Sequence, residues 1–303
     1  MKISRITAIA TSLLVVLSTT FMVLPASAGV NGKTLAIIDF TFDSSATEIK
    51  ERVISDVCFS ITKSCTIVPK DKLYPNLSLS HGTIMASVAS QIDPTVKLVL
   101  IRVGNINPKT FAMSAMSTTE FDNVLISAFD WIAQNATKLN IAAVSTSMSH
   151  TSFNTSGSYC PNRKSSVYPG TLEERVLKLQ SLGIASVFSA GNTYDNARVS
   201  YPACIKASFA IGATELPEGN VNPVSLKSAK GPDVDFYALG TYKLSFIRMT
   251  GQTSPAAAAF ATYWVNKYQG NFQDTLTLIN SLRSDAYFSA TKISTKSFID
   301  VLK

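Results

Sequence analysis

The sequence is poor in the residues from which metal and nucleic-acid sites are built. Its 303 residues include only two histidines, His81 and His150, and its four cysteines form no C-x-x-C pair. A zinc site of cysteine and histidine therefore lacks its ligands, and no acidic loop suits calcium. No run of lysine or arginine is long enough to follow a phosphate backbone. We therefore expect no metal, no cofactor and no nucleic-acid partner.

The first 28 residues have the pattern of a secretory signal peptide. Lys2 and Arg5 precede a nearly uncharged stretch, and Ala26-Ser27-Ala28 is a small-residue cleavage site. A membrane anchor is the alternative because the apolar stretch is long, but no stop-transfer pattern follows it. We therefore predict a secreted or periplasmic protein, not membrane-bound after cleavage, with one large domain over 29–303. Cleavage would lower the net charge from +7 to about +5, an excess that serves solubility.

An even number of cysteines in an exported chain indicates disulfides. Cys58 and Cys65 would close a short loop, whereas Cys160 and Cys204 would join two loops. Four cysteines allow three connectivities, so the sequence leaves the pairing open.

Short apolar runs alternate with helical patterns along the chain. The runs are typical of buried parallel strands; they cover residues 35–38, 97–103, 141–144, 184–188 and 208–211. Helical spacing over 119–136 follows a capping box, Ser117-x-x-Glu120, and Thr171-x-x-Glu174 opens another helix that ends near Gly183. This alternation predicts an α/β fold with a mostly parallel sheet and helices on both faces.

Three segments carry residues of a nucleophilic hydrolase. Asp39 ends the first apolar run, where open α/β sheets place their sites. His81 precedes a small-residue helix and could act as a general base. Ser254 stands before Pro255 at the start of an alanine-rich helix, where free amides and the helix dipole favour a developing oxyanion.

Each segment also has an ordinary interpretation. Asp39 could be an exposed strand-end carboxylate, and His81 or Ser254 could merely cap a helix. Asn192 follows a strand and could donate to an oxyanion or simply form a turn. The chain order Asp, His, Ser is one of the known orders for a catalytic triad. The G-x-S-x-G elbow of α/β-hydrolases is absent, and that family places its histidine last.

Taken together, these segments resemble the subtilisin family of serine peptidases. The similar segments follow the family's order; they are AIID at 36–39, SHGT at 80–83, PTVKLVLIRV at 94–103, SMS at 147–149, VFSAGN at 187–192, YPA at 201–203 with AIGA at 210–213, and VDF at 234–236 with ALG at 238–240.

The resemblance implies a three-layer subtilisin-like catalytic domain over 29–303 and a secreted serine endopeptidase acting on peptides or proteins. It implies a triad of Asp39, His81 and Ser254, an oxyanion donor at Asn192, and a substrate-binding edge at Ser147, Met148 and Ser149. A propeptide, common in the family, has no room before Asp39, so we expect a compact form that folds without one.

Two positions depart from the family pattern. Phe40-Thr41 replaces the Ser/Thr-Gly that usually follows the aspartate, and Gln252 replaces the glycine of Gly-Thr-Ser-x-Ala. Alignment on Gly251 would make Thr253 the nucleophile, whereas alignment on Thr-Ser-x-Ala selects Ser254, which we prefer because it keeps serine as nucleophile. Gln252 also motivates the alternative of an impaired pseudo-peptidase that binds peptides or assists assembly.

Overall fold

The computed structural model describes five long stretches of the chain and three short strands. They are residues 34–61, 65–149, 171–194, 198–218 and 222–284, with the backbone at 287–288, 291–292 and 298–299. The predicted signal peptide, His150 and Cys160 lie outside these ranges.

Strands and helices alternate through the described residues. In chain order the elements are β1 (Thr34–Asp39), β2 (Val53–Phe59), α1 (Lys70–Leu73), α2 (Leu77–Ile92), β3 (Lys97–Val103), α3 (Thr118–Leu139), β4 (Ile141–Thr146), α4 (Leu172–Ser181), β5 (Ala185–Ser189), β6 (Phe209–Thr214), β7 (Phe236–Leu239), β8 (Tyr242–Lys243), β9 (Arg248–Met249), α5 (Thr253–Asn266), α6 (Phe272–Ser281), β10 (Tyr287–Phe288), β11 (Thr291–Lys292) and β12 (Phe298–Ile299).

One parallel sheet forms the centre of the fold. Its strand order is β12-β7-β6-β5-β4-β1-β3-β2, and every neighbouring pair in it runs parallel. The five apolar runs of the sequence become β1, β3, β4, β5 and β6, so these predictions are confirmed. The sequence pattern missed β2, because this strand at the edge of the sheet is only partly buried and lacks a continuous apolar run.

Helices cover both faces of the sheet. Alternate side chains of β1 point to opposite faces. Leu35 and Ile37 join the core beneath α2 and α5, whereas Ala36 and Ile38 join the core beneath α3 and α4. The predicted three-layer α/β architecture is therefore confirmed. None of the described helices is long and apolar enough to span a lipid bilayer.

Helix ends follow local sequence signals with one exception. Ser117 and Glu120 form the predicted capping box at α3, and the Thr171 side chain accepts from Glu174 N–H at 3.3 Å. The prediction that His81 begins a helix is wrong. α2 begins at Leu77, and the Asn76 side chain just before it accepts from the N–H groups of Ser78 and Leu79. His81 therefore lies in the second turn of α2.

One predicted disulfide is present in the described residues. Cys58, near the end of β2, is bonded to Cys65, seven residues later. Cys204 is buried, but Cys160 lies outside the described ranges, so the second pairing stays a prediction.

Aromatic rings close the core beneath β6, β7 and α5. Trp264 is fully buried, and its ring centroid lies 5.2 Å from that of Phe209 and 5.1 Å from that of Phe272. We expect Trp264→Ala to reduce the free energy of unfolding by about 3–5 kcal/mol, because it removes a large side chain that rigid neighbours cannot replace. Denaturant titration would measure the change. Leu226→Ala, at an exposed leucine, should change stability by about 0.5 kcal/mol or less.

Candidate active site

Asp39 and His81 form a hydrogen-bonded pair at the carboxyl end of β1. Asp39 is fully buried; its Oδ1 accepts from Phe40 N–H at 2.8 Å, and its Oδ2 lies 2.7 Å from His81 Nδ1. Each carboxylate oxygen therefore has one donor. A carboxylate only accepts hydrogen bonds, so Nδ1 carries the ring proton and Nε2 keeps a lone pair. The His81 side chain keeps 22% of its surface exposed.

Gly82 allows this pair to form. A Cβ atom on Gly82 would lie 2.4 Å from Thr41 O and 2.9 Å from Asp39 Cβ, both far inside ordinary contact distance. Helix α2 therefore packs directly on the segment after β1 because residue 82 has no side chain.

We expect Gly82→Ala to lower kcat/KM by about 100-fold or more, because displacing a catalytic group by about 1 Å has that effect. The new methyl group would push α2 away from Asp39 and lengthen the His81–Asp39 bond. Steady-state hydrolysis of a chromogenic peptide would measure the loss. Ser90→Ala on the same helix is the matched control, since the buried Ser90 hydroxyl has no partner among the described residues. Equal activity in both variants would contradict the prediction.

The environment of His81 raises the pKa of its imidazole above the usual value. Burial lowers this pKa, but the charge of Asp39 and its hydrogen bond raise it, and the net direction is upward. The carboxylate thus stabilises the imidazolium form. A general base next to this carboxylate takes up a proton more readily than a free imidazole.

Ser254 has the one unpaired amide in the first turn of α5. Thr253 N–H donates to Asn192 Oδ1 at 2.9 Å, Pro255 has no N–H, and Ala256 N–H donates to Gln252 O at 3.4 Å. Within the described residues, the N–H and hydroxyl of Ser254 make no hydrogen bond. This amide, at the positive end of a 14-residue helix, can therefore receive an anionic oxygen.

Thr253 holds Asn192 beside this amide. Its buried hydroxyl accepts from Gly191 N–H at 3.2 Å and lies 3.1 Å from Asn192 Oδ1. Since Thr253 N–H can only donate, the amide oxygen of Asn192 faces Thr253, and its Nδ2 group is left for another acceptor. Sequence reasoning missed this positioning role, because nothing in the sequence distinguishes such a threonine from a helix cap.

The backbone of Gln252 packs directly against Gly240. Gln252 N–H donates to Gly240 O at 3.1 Å, and a Cβ on Gly240 would lie 2.6 Å from Gln252 O. Residue 240 must therefore be small for the chain to enter α5 at this place. Gly251 takes a left-handed φ of 58°, which favours glycine, and leads the chain into the helix.

The predicted substrate edge lies directly after β4. Pairing of β4 with β1 and β5 ends at Thr146, so the backbone beyond it is not part of the sheet ladder. The Ser147 hydroxyl donates to Ser254 C=O at 3.4 Å, a contact that the sequence did not indicate. Met148 has its side chain in the core, whereas Ser149 is exposed. The Met148 N–H already donates to Thr146 Oγ1 at 3.4 Å.

The structure thus brings Asp39 and His81 together, and it brings Ser147, Asn192 and Ser254 together around the start of α5. The disulfide Cys58–Cys65 joins β2 to the chain that follows it and lines a small pocket together with Phe40, the residue after Asp39. Among the described residues, no group of three or more histidine, cysteine or acidic side chains could hold a metal ion.

Residues 31–280 match the model of the subtilase family of peptidases. The chain therefore belongs to the subtilase family and is by that membership a serine-type endopeptidase, as the resemblance implied.

Solved structures agree on the fold. The chain is similar to a cold-adapted subtilisin-like serine proteinase, with 18% identity, 90% of each chain covered and a TM-score of 0.57. It is similar to a lanthipeptide protease at 14% identity, with 89% of this chain and 86% of that one covered and a TM-score of 0.61. A protease from Pseudoalteromonas arctica shares 13% identity over 90% and 89% of the two chains, with a TM-score of 0.59. No curated protein sequence matches the chain.

Proposed function

We propose that the protein is a secreted serine endopeptidase that uses Asp39, His81 and Ser254 as a catalytic triad. The observation that carries this proposal is the buried Asp39–His81 pair, with a 2.7 Å hydrogen bond, in a chain of the subtilase family. The unpaired Ser254 amide and hydroxyl at the start of α5 supply the remaining chemistry.

In the first step, the Ser254 oxygen attacks the carbonyl carbon of the peptide bond while His81 Nε2 takes the hydroxyl proton. The imidazolium that forms is stabilised by Asp39, consistent with the upward direction of the His81 pKa. His81 then gives this proton to the leaving amine, and the acyl group stays on Ser254. Water hydrolyses this ester by the same proton route in reverse order. Hydrogen bonds between nucleophile and base are often long in unliganded sites and tighten with substrate.

Two donors suit the negative oxygen of the tetrahedral intermediate. One is Ser254 N–H, which has no acceptor among the described residues. The other is Asn192 Nδ2, which Thr253 orients by holding the amide oxygen. Preorganised donors of this kind contribute roughly 10²–10³ to kcat each.

The acyl side of the substrate would lie extended along residues 147–149. This backbone continues β4 beyond its paired strands, so a peptide can add to it as a further strand. The Ser147 contact to Ser254 C=O links this edge to the start of α5. Peptides and proteins are therefore the proposed substrates.

A fluorophosphonate probe tests the proposal because it reacts with an activated hydroxyl nucleophile and not with ordinary serines or threonines. We expect one labelled residue, Ser254, in the purified protein, identified by peptide mass mapping. A folded protein that binds peptides but takes no label would instead support the pseudo-peptidase alternative. This alternative is considered because Gln252 replaces the glycine of the family pattern.

Secretion is proposed from the N-terminal pattern and from the disulfide Cys58–Cys65, since such bonds persist in oxidising compartments. N-terminal sequencing of the exported protein should begin at Gly29. A cell-retained product that still begins at Met1 would contradict the signal peptide.

A further inference from the structure

An apolar pocket lies beside the start of α2, apart from the edge at 147–149. Its volume is about 200 Å³, and its walls come from α1, α2 and the β8–β9 hairpin; they include Leu73, Tyr74, Leu77, Ile84, Phe246 and Ile247. Leu73 and Ile84 form a buried floor, whereas Leu77 and Phe246 are 48% and 37% exposed at the rim. The pocket is therefore open to solvent and floored by the core.

The pocket adjoins the turn of α2 that carries His81. Leu77, Ser80 and Ile84 line it from α2, and they lie at positions i, i+3 and i+7 of one helix. His81 is at i+4 of the same stripe. Side chains three or four residues apart on a helix have Cβ atoms about 5–6 Å apart. His81 therefore stands at the border between the proposed triad and this pocket.

The outer wall of the pocket is held in place by contacts at the hairpin tip. The rings of Tyr74 and Phe246 meet edge to face with centroids 5.4 Å apart. Leu244 N–H donates to Ile247 O at 2.8 Å, and the Ser245 hydroxyl donates to the Glu48 carboxylate. The pocket is thus formed before any ligand arrives, which reduces the entropy lost on binding.

The lining side chains carry only two polar groups, the hydroxyls of Tyr74 and Ser80. The Ser80 hydroxyl already donates to Leu73 C=O, and burial, together with the nearby charge of Asp43, raises the pKa of Tyr74 to about 12, so this hydroxyl is neutral. A charged side chain entering the pocket would lose water and find few partners, which is unfavourable. A large aliphatic or aromatic side chain would instead bury apolar surface.

The role of His81 in proton transfer indicates which side of the cleaved bond lies next to the pocket. The leaving amine takes its proton from His81, so the segment that carries this amine begins at His81. The acyl side lies along 147–149, and no residue of that edge lines the pocket. An extended chain advances about 3.3 Å per residue, so the first two residues after the cleaved bond can reach a pocket one helical turn from His81.

We propose that this pocket binds a large apolar side chain of the substrate segment released as the amine, and so selects peptides by the residues that follow the cleaved bond. The proposal rests on the proposed peptidase function, and it concerns the specificity of the same site.

Acyl transfer isolates this side of the site. A small ester without a leaving-side peptide would acylate Ser254, and added dipeptide amides would then compete with water. The amine nitrogen attacks the ester carbonyl, the bond to Ser254 Oγ breaks, and the amine proton returns to that oxygen through His81. The ratio of amide product to acid product measures how well each amine is held.

We expect dipeptide amides with leucine or phenylalanine to capture the acyl group about 10- to 100-fold better than those with serine, the range expected when one large apolar side chain is buried. Phe246→Ser and Leu77→Ser should each reduce this preference by about tenfold, because a polar side chain replaces part of the apolar rim. Leu182→Ser is the matched control, because Leu182 is 42% exposed and lies after α4, before the amino end of β5.

The two failures can be told apart. The pocket proposal is overturned if the wild-type protein shows no preference for apolar amines, or if both variants leave this preference unchanged. A pocket filled by another segment or by a second copy of the chain would also remove the preference in the wild type. Absence of ester hydrolysis overturns the peptidase function instead. In that case, calorimetric titration with the same dipeptide amides decides the pocket, which is supported only if leucine amides bind more tightly and Phe246→Ser abolishes the difference.

Discussion

Ser254→Ala should abolish peptide hydrolysis, with a loss in kcat on the order of 10⁶, as expected when a triad nucleophile is removed. Neighbouring groups cannot replace it. The hydroxyl of Thr253 is buried and already engaged with Gly191 N–H and Asn192 Oδ1. Active-site labelling and the hydrolysis rate should therefore be lost together, while the melting temperature changes little, since a buried alanine suits an alanine-rich helix.

Ser127→Ala is the matched control, because Ser127 is an exposed helical serine whose hydroxyl donates only to Asn123 C=O. It should keep full activity and full labelling. If Ser254→Ala were still labelled by the fluorophosphonate, Thr253 would be the nucleophile and the preferred alignment would be wrong. Thr253→Val should retain labelling and lower kcat by about tenfold at most, because Asn192 Oδ1 keeps the backbone N–H of residue 253 and loses only the hydroxyl contact, worth about 1 kcal/mol.

Much of the fold could be predicted because buried parallel strands have a strong sequence pattern. β1 and β3 are covered on both faces, so their residues are nearly all apolar and bounded by polar ones. β2 escaped prediction because Ser55 and Asp56 interrupt its apolar residues and only one of its edges is paired. Its position depends on pairing with β3, a contact between segments far apart in the sequence.

The site was predictable where function depends on residue type and unpredictable where it depends on tertiary contact. Asp39 and His81 could be chosen because few acids end apolar strands and only two histidines exist. The start of α2 was misplaced because Asn76, its cap, precedes three residues with no strong helical signal. The role of Thr253 and the fit of Gln252 against Gly240 depend on chain segments that meet only in the folded protein.

Asp39→Asn should lower kcat by about 10⁴, the loss expected when a triad histidine is held in the wrong tautomer. The geometry gives the reason. Phe40 N–H donates to one carboxylate oxygen, and a backbone N–H cannot accept, so the oxygen of the new amide must stay on that side. Its NH₂ group would then face His81 Nδ1 and donate to it. The ring proton would move to Nε2, which could no longer take the proton of Ser254.

The pH profile separates this effect from a simple loss of structure. His81 acts as a base only when neutral, so kcat/KM should rise with pH through its pKa. In the wild type this pKa is raised above the ordinary value of 6.5, so the rise should be centred above that pH. In Asp39→Asn the carboxylate charge is gone while burial remains, and burial lowers the pKa. The residual activity should therefore rise at a lower pH than in the wild type.

Asp130→Asn, at a carboxylate that pairs with Arg175 on the helical surface, should leave both the hydrolysis rate and the pH profile unchanged. An Asp39→Asn profile centred where the wild-type profile lies would show that Asp39 does not control the charge of His81.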